Sequence, residues 1–105
     1  LYNTIIANSA PAANVCMVHP NVQAEGAGNL IQANATCPGV ATTGDPLLGP
    51  LQLNAPGLTP TMAIGTDSAA YNMADDTTAL SQDQRGVLRP QALNADIGAF
   101  EYVRP

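Results

Sequence analysis

The chain closes with two segments, DQRGVLRPQ at residues 83–91 and DIGAFEY at residues 96–102. They bring two of the three arginines together with three of the eight acids, in a chain of which only 10% is charged. A guanidinium presents a planar fork of donors that matches a carboxylate. We therefore predict that Arg85 pairs with Asp96 or Glu101 and pins this closing segment onto the rest of the fold.

The composition excludes several classes of function. The 105 residues carry eight acids, three arginines and no lysine, for a net charge of −5. Nucleic-acid binding needs a basic face, and a bilayer span needs about 20 consecutive apolar residues. The sequence offers neither, so we expect no nucleic-acid partner and no membrane span.

Few charges and many chain-turning residues favour an all-β fold. Long exposed helices usually carry many Glu, Lys and Arg side chains, whereas here Gly and Pro supply nine residues each and are spread along the chain. Aromatic residues are scarce, so a core would consist of Ile, Leu, Val, Ala and Met. A small globule with such a core is marginal, whereas a solenoid buries each layer on the next. The composition therefore favours a solenoid.

Short apolar steps recur in the first half of the chain at intervals of roughly fifteen residues, which is typical of solenoid coils. We predict strands at residues 1–8, 14–18 and 30–31, and we interpret residues 1–44 as β-helix coils. The asparagines at the turns either stack between coils or simply tolerate turn dihedrals.

The character of the sequence changes near its middle. Residues 45–60 contain four of the nine prolines, which remove backbone donors and favour an extended segment with few sheet bonds. Beyond it we predict a brief strand at 62–65, one or two helical turns at 68–73 and a last strand at 97–103. Residues 45–105 are thus an extended segment and a closing motif in the same single domain as the coils.

The two cysteines, Cys16 and Cys37, are separated by twenty residues. They lack the further ligands of a structural zinc site, since His19 is the only histidine, and neither lies in a C-x-x-C redox motif. An even number of cysteines in an exported chain most often forms a disulfide, which would stabilise the fold by about 3 kcal/mol on a chain-entropy argument. We predict a Cys16–Cys37 disulfide, with two separate buried thiols as the alternative in a reducing compartment.

The densest acid cluster surrounds Asp75 and Asp76, with Asp67 and Asp83 nearby. Paired carboxylates serve sugar cleavage, but neighbours on a strand face opposite ways, and no lysine is present as a base. The acid spacing matches no calcium loop. His19 is interpreted as a turn residue because no nucleophile motif accompanies it. We predict a solvated acidic loop, with no catalysis, no metal and no cofactor.

Several segments, taken in order, resemble a known family. They are NTIIAN at 3–8, GNL at 28–30, Cys37, DPLLGPL at 45–51, TPTMA at 59–63 and the two closing segments. This order resembles the C-terminal part of the choice-of-anchor Q domain proteins, a family of exported bacterial proteins. The resemblance implies a right-handed parallel β-helix fragment, a surface or extracellular location and further coils upstream.

The chain departs from the family pattern in two places. Residues 65–72 replace a Gly-Ser-Pro-Ala-Ile-Asp sequence, and Asn94-Ala95 stands where a cysteine often precedes the final Asp-Ile-Gly. The second departure leaves Cys16 and Cys37 as the only disulfide option. Asn34 begins a glycosylation sequon. In a bacterial protein we expect this sequon to have no role. The resemblance implies a fold rather than a function.

Two functions remain open on this sequence. In the first, the protein is a non-catalytic extracellular structural protein that self-associates through exposed solenoid ends or strands into filaments or a surface layer. Exposed strand edges template pairing with another chain. The residues predicted to self-associate are Leu1, Ile5, Ile6, Leu47, Leu48 and Leu51.

The second function is a carbohydrate-binding or polysaccharide-cleaving module with surface glycans as partners. It needs aromatic rings that stack on sugars or a paired acid site. The candidate rings are Tyr2, Tyr71, Phe100 and Tyr102, and the chain has no tryptophan. We favour the first function because so few rings are available.

Overall fold

The computed structural model describes residues 1–9, 16–33 and 36–105. Within these ranges the chain forms five short strands and no helix. The strands are β1 (Ile5–Ile6), β2 (Asn29–Ile31), β3 (Val40–Thr42), β4 (Leu51–Gln52) and β5 (Thr61–Met62). A helix long and apolar enough to cross a membrane is accordingly not found in these ranges.

The first three strands form a parallel sheet in the order β1-β2-β3. Ile5 and Ile6 of β1 lie opposite Leu30 and Ile31 of β2, and β3 pairs with the other side of β2. The register shifts between Asn29 and Leu30. All of β2 is buried, as is typical of the centre of a parallel sheet.

The buried side chain of Asn29 supplies hydrogen bonds at the start of this sheet. Its Nδ2 donates to the Leu1 carbonyl at 2.8 Å, and its Oδ1 accepts from the Thr4 amide at 3.0 Å. Two glycines meet beside it: φ of Gly39 is +76°, and a Cβ on Gly39 would overlap the backbone of Gly26. One side chain and one close backbone approach therefore help to align these short strands.

β4 and β5 form a separate antiparallel hairpin, in which Leu51 lies opposite Met62 and Gln52 opposite Thr61. The Asn54 side chain donates to the Thr61 carbonyl at 3.0 Å and to the Thr61 hydroxyl at 2.9 Å, and so closes the turn. Thr61 is buried, whereas Leu51 and Met62 are exposed. The hairpin therefore presents apolar side chains to solvent.

The core joins the parallel sheet to the chain that follows β5. Its buried apolar members are Leu30, Ile64, Ala70, Ala74, Ala95 and Ile97. Backbone bonds tie the closing segment to this core: the Ile97 amide donates to the Ala70 carbonyl at 2.9 Å, and the Ala74 amide donates to the Ala95 carbonyl at 3.0 Å. Half of these side chains are alanines, so the core is thin and the polar contacts around it matter for stability.

The predicted disulfide between Cys16 and Cys37 is confirmed, with the two Cα atoms 5.8 Å apart. Hydrogen bonds run alongside it: the Thr36 amide donates to the Cys16 carbonyl at 3.4 Å, and the Val18 amide donates to the Thr36 hydroxyl at 2.6 Å. The bond ties the chain before β2 to the chain after it. Disulfides persist in oxidising compartments, so this bond is typical of an exported protein.

The predicted right-handed parallel β-helix is wrong. The described strands form one small parallel sheet and one antiparallel hairpin, and the coils predicted over residues 1–44 do not stack into closed layers. A coil needs backbone donors and acceptors at every layer. Here prolines remove donors, and Asn and Asp side chains bond the backbone instead.

The predictions for single strands have mixed outcomes. β1 falls within the strand predicted at 1–8, and β2 overlaps the strand predicted at 30–31. β5 overlaps the strand predicted at 62–65. The last strand predicted at 97–103 does not form. β3 was not predicted, because its three residues carry no alternating pattern long enough to recognise.

Other predictions fall partly outside the described residues. The strand predicted at 14–18 begins at residues outside the described ranges, and Asn34 of the sequon also lies outside them.

The helical turns predicted at 68–73 are hydrogen-bonded turns instead, in which the Tyr71 amide donates to the Ser68 carbonyl at 3.1 Å.

Candidate functional site

The closing segment contains a buried cluster of five charged side chains, which we call the closing cluster. Its members are Asp83, Arg85, Arg89, Asp96 and Glu101. The three acids are nearly inaccessible to solvent, and each arginine side chain is only 6% exposed. Buried charges need partners, so the hydrogen bonds of this cluster decide whether it is a reactive or a structural site.

Asp83 and Arg85 form the centre of the cluster. Arg85 Nε and Nη2 donate to Asp83 Oδ2 at 3.0 and 2.8 Å, and the Glu101 amide donates to the same oxygen at 2.8 Å. The amides of Arg85 and Val87 donate to Asp83 Oδ1. Burial by itself raises the pKa of Asp83, but the amides of Glu101 and Val87 and the guanidinium of Arg85 outweigh it, and the pKa lies below its usual range.

Arg85 also connects the closing segment to the hairpin. Its Nη2 donates to the Glu101 carbonyl at 2.6 Å, and its Nη1 donates to the Ala55 carbonyl in the hairpin turn at 3.1 Å. Its Cζ lies 3.6 Å from the centre of the Phe100 ring, the geometry of a cation–π contact. One side chain therefore joins the closing segment to the β4–β5 turn.

Arg89 faces the other two acids. Its Nε lies 3.4 Å from Glu101 Oε2 but makes no hydrogen bond, and its Nη2 donates to the Gly98 carbonyl. Glu101 accepts from the amides of Gln91 and Asp96. Desolvation raises the pKa of Glu101, with the nearby Asp96 carboxylate adding to it, and this exceeds the opposing effects of the two amides and of Arg89.

Asp96 is held by two amides. The Asn72 amide donates to Oδ1 and the Tyr102 amide donates to Oδ2, both at 2.7 Å. Desolvation raises the pKa of Asp96 despite these bonds and the nearby Arg89. Since Arg85 is paired with Asp83, Arg89 alone faces two buried carboxylates, and this part of the cluster carries an excess negative charge when both are ionised.

The predicted pairing of Arg85 with a carboxylate of Asp96 or Glu101 is corrected by this geometry. Arg85 pairs with Asp83 and meets Glu101 only at its carbonyl oxygen, and Arg89 is the arginine beside the Glu101 carboxylate. The turn at residues 83–86 brings Arg85 back over Asp83, with the Gly86 amide donating to the Asp83 carbonyl at 3.0 Å. That turn was not recognised in the sequence.

The carboxylates of the closing cluster hold segments of the chain together. Every oxygen of its three carboxylates accepts at least one backbone amide. Side chains held in this way are poorly placed to transfer protons to an outside group, which needs access within hydrogen-bond reach. Among the described residues, no group of three His, Cys, Asp or Glu side chains is placed to hold a metal ion.

The acids of the predicted acidic loop point to different partners. Asp75 accepts from the hydroxyls of Thr78 and Thr77, which lower the pKa of its carboxyl group. Asp76 accepts from the Ala95 amide at 2.8 Å. The Asn3 side chain accepts from the Asp75 amide at 2.7 Å and so ties the start of the chain to this loop. Within the described part of the chain, Asp75 and Asp76 therefore share no hydrogen-bond partner.

A second feature is the apolar surface of the hairpin, which we call the hairpin surface. Its exposed members are Leu47, Leu51, Leu53, Leu58 and Met62. No charged residue occurs between Asp45 and Asp67. The sequence groups Leu53 and Leu58 with Leu47, Leu48 and Leu51 as an apolar set in the extended segment, but neither Leu53 nor Leu58 nor Met62 was among the residues predicted to self-associate.

The six residues predicted to self-associate lie in different environments. Leu1, Leu47 and Leu51 are exposed, whereas Ile5 and Leu48 pack against the core. Ile6 is half-buried in β1. The solenoid end that was to present Leu1, Ile5 and Ile6 together does not exist, so of the six only Leu1, Leu47 and Leu51 are exposed, and the last two lie in the hairpin surface.

The aromatic rings are mostly engaged inside the protein. Phe100 lies under Arg85, and Tyr71 and Tyr102 make an edge-to-face contact with ring centres 5.9 Å apart. The exposed Tyr2 donates its hydroxyl to Glu25 at 3.1 Å. These contacts leave no row of free rings on which a sugar would stack, so they do not favour the carbohydrate module.

Comparisons with protein-family models, with curated proteins and with solved structures give no match. The resemblance to the choice-of-anchor Q domain proteins therefore stays a prediction. The β-helix that it implied is not the fold observed.

Proposed function

We propose that the protein is a non-catalytic extracellular structural protein that self-associates through the hairpin surface. The observation that carries this proposal is the exposure of five large apolar side chains within sixteen residues of uncharged chain. Contiguous exposed apolar side chains mark interaction sites more often than free surface. Because each copy carries a net charge of −5, copies repel one another except where uncharged surfaces meet.

Two further observations support the other parts of the proposal. The Cys16–Cys37 disulfide suits an oxidising, extracellular location. The carboxylates of the closing cluster bind amides of their own chain, which suits a structural role. The carbohydrate module is not proposed, because Phe100, Tyr71 and Tyr102 contact protein groups.

The test compares two leucines that are almost equally exposed. Leu58, in the hairpin surface, is 91% exposed, and Leu93, outside it, is 87% exposed. Burying a leucine is worth roughly 1.5–3 kcal/mol, so Leu58→Gln should weaken self-association about tenfold or more. Leu93→Gln should leave it unchanged.

The measurement is the weight-average mass against concentration by light scattering, for the unmodified chain and both variants. A mass that rises with concentration, and less so in Leu58→Gln alone, is expected. Equal weakening by Leu58→Gln and Leu93→Gln would show non-specific stickiness and would contradict the proposal.

A further inference from the structure

An open groove of about 630 Å³ lies beside the hairpin surface. Its walls come from the β1 segment, the hairpin and residues 97–100 of the closing segment. Fifteen residues line it, and none of them is charged. Leu51 and Met62 belong both to this lining and to the hairpin surface, so the groove adjoins the hairpin surface at these two residues.

One wall of the groove is an incompletely paired strand edge. β1 is an edge strand, and β2 occupies one of its sides. No second strand pairs with it among the described residues, and just before it the Gly98 amide donates to the Asn3 carbonyl at 3.0 Å. Ile5 and Ala7, farther along the same segment, line the groove. A strand edge beside an apolar groove accepts an extended segment from another chain.

The charge of the lining restricts what the groove takes. A polyanion would need arginine or lysine in the walls and a cationic partner would need acids, and the lining has neither. Phe100 is the one aromatic residue in this lining, and Arg85 covers one face of its ring, so the groove offers a sugar at most a single ring face. The lining thus matches an uncharged apolar segment.

The chain itself supplies such a segment. Leu53 and Leu58 are exposed, flank the turn of an uncharged hairpin and are not part of the groove lining. Resting on the self-association proposed above, we propose that the groove receives Leu53 and Leu58 of a second copy. In this arrangement the two exposed leucine side chains beside the turn of one hairpin fill the groove of another copy.

Photo-crosslinking tests this contact on the full chain. Leu58→p-benzoylphenylalanine is irradiated in a mixture of natural-abundance and ¹⁵N-labelled chains, and crosslinked peptides are identified by mass spectrometry. Leu93→p-benzoylphenylalanine, at an equally exposed position, is the control. We expect crosslinks between copies from position 58 to residues 3–7 or 97–100, and none of these from position 93.

A groove variant provides an independent test. Ala99 is exposed in the groove lining, and Ala41 is exposed in β3 away from it. Ala99→Gln narrows the groove without adding charge and should weaken self-association about tenfold, whereas Ala41→Gln should have no effect. Thermal melting of both variants verifies that the fold is intact.

The outcomes separate this inference from the function on which it rests. If the chains associate but position 58 crosslinks outside the groove, or Ala99→Gln has no effect, the groove assignment is overturned while self-association stands. If the chain stays at its monomer mass of 10.7 kDa at every concentration, both proposals are overturned.

Discussion

Arg85 holds Asp83 through two nitrogens that share one carboxylate oxygen, at 3.0 and 2.8 Å. The two residues are separated by one position, yet their side chains meet in a buried site that also contacts the closing segment and the hairpin turn. A buried pair is a weak source of net stability but is costly to break. The contact therefore acts mainly by fixing which segments of the chain meet.

Replacing Arg85 with lysine tests this role. Lysine keeps the charge but cannot reproduce the fork that reaches Asp83, the Glu101 carbonyl and the Ala55 carbonyl. We expect Arg85→Lys to lower the free energy of unfolding by about 2–4 kcal/mol, measured by urea denaturation. Arg104→Lys, at an exposed position, should change it by less than about 0.5 kcal/mol, and equal effects of the two substitutions would refute the assigned role.

Two glycines with left-handed backbones provide a matched test of close packing. Gly39 has φ +76° and faces the Gly26 backbone, whereas Gly86 has φ +84° and nothing within 4 Å of an added Cβ. Gly86→Ala should cost about 1 kcal/mol for the backbone alone. Gly39→Ala should cost clearly more, about 3 kcal/mol or loss of folding, because the backbones must separate. If the two substitutions lower the melting temperature equally, the backbone segments at Gly39 and Gly26 do not touch, and the account is contradicted.

The closing cluster predicts an unusual dependence of stability on pH. The pKa values of Asp96 and Glu101 are raised by burial, so the folded state binds more protons than the unfolded state above about pH 4. The contribution of Asp96 and Glu101 to stability is complete below about pH 4 and is lost as the pH rises through their pKa values in the folded state. The pKa of Asp83 is lowered, so its contribution is present above about pH 4 and is lost as pH falls further.

The free energy of unfolding should therefore be highest near about pH 4–5 and decline toward neutrality. Asp96→Asn should flatten this decline, because it removes one of the two acids with a raised pKa. Asp67→Asn, at an exposed loop position, serves as the control. A stability that rises steadily from pH 4 to pH 7 in the unmodified chain would contradict this account.

The disulfide should contribute about 3 kcal/mol, because the bond closes a loop with a sequence separation of 21. Urea denaturation with and without a reductant measures this contribution. The double variant Cys16→Ser, Cys37→Ser should match the reduced protein and should not respond to the reductant. An unmodified protein whose unfolding midpoint is insensitive to reduction would disagree with this prediction.

The sequence predicted local features better than their assembly. Strand preference at Ile5–Ile6 and Leu30–Ile31 was recognisable because β-branched and apolar residues cluster there. The predicted assembly into coils was wrong. Apolar segments at regular spacing do not specify whether the backbone amides and carbonyls form hydrogen bonds with side chains or with a neighbouring strand. Asn29 and Asp96 satisfy it here through their side chains, and a single sequence gives no sign of such long-range bonds.

The candidate interaction surface was only partly predictable. Leu47 and Leu51 were assigned to self-association from the apolar, proline-rich stretch of the sequence, whereas Leu58 was recognised only as a further apolar residue of that stretch. Its exposure depends on the hairpin that Asn54 closes by bonding Thr61 across seven residues. The groove beside it combines segments far apart in the chain, and its shape follows only from the fold.

Sedimentation equilibrium of the unmodified chain tests the central claim, self-association, most directly. The account predicts a weight-average mass that exceeds 10.7 kDa and rises with protein concentration at neutral pH. A mass that stays at 10.7 kDa up to millimolar concentration would contradict it.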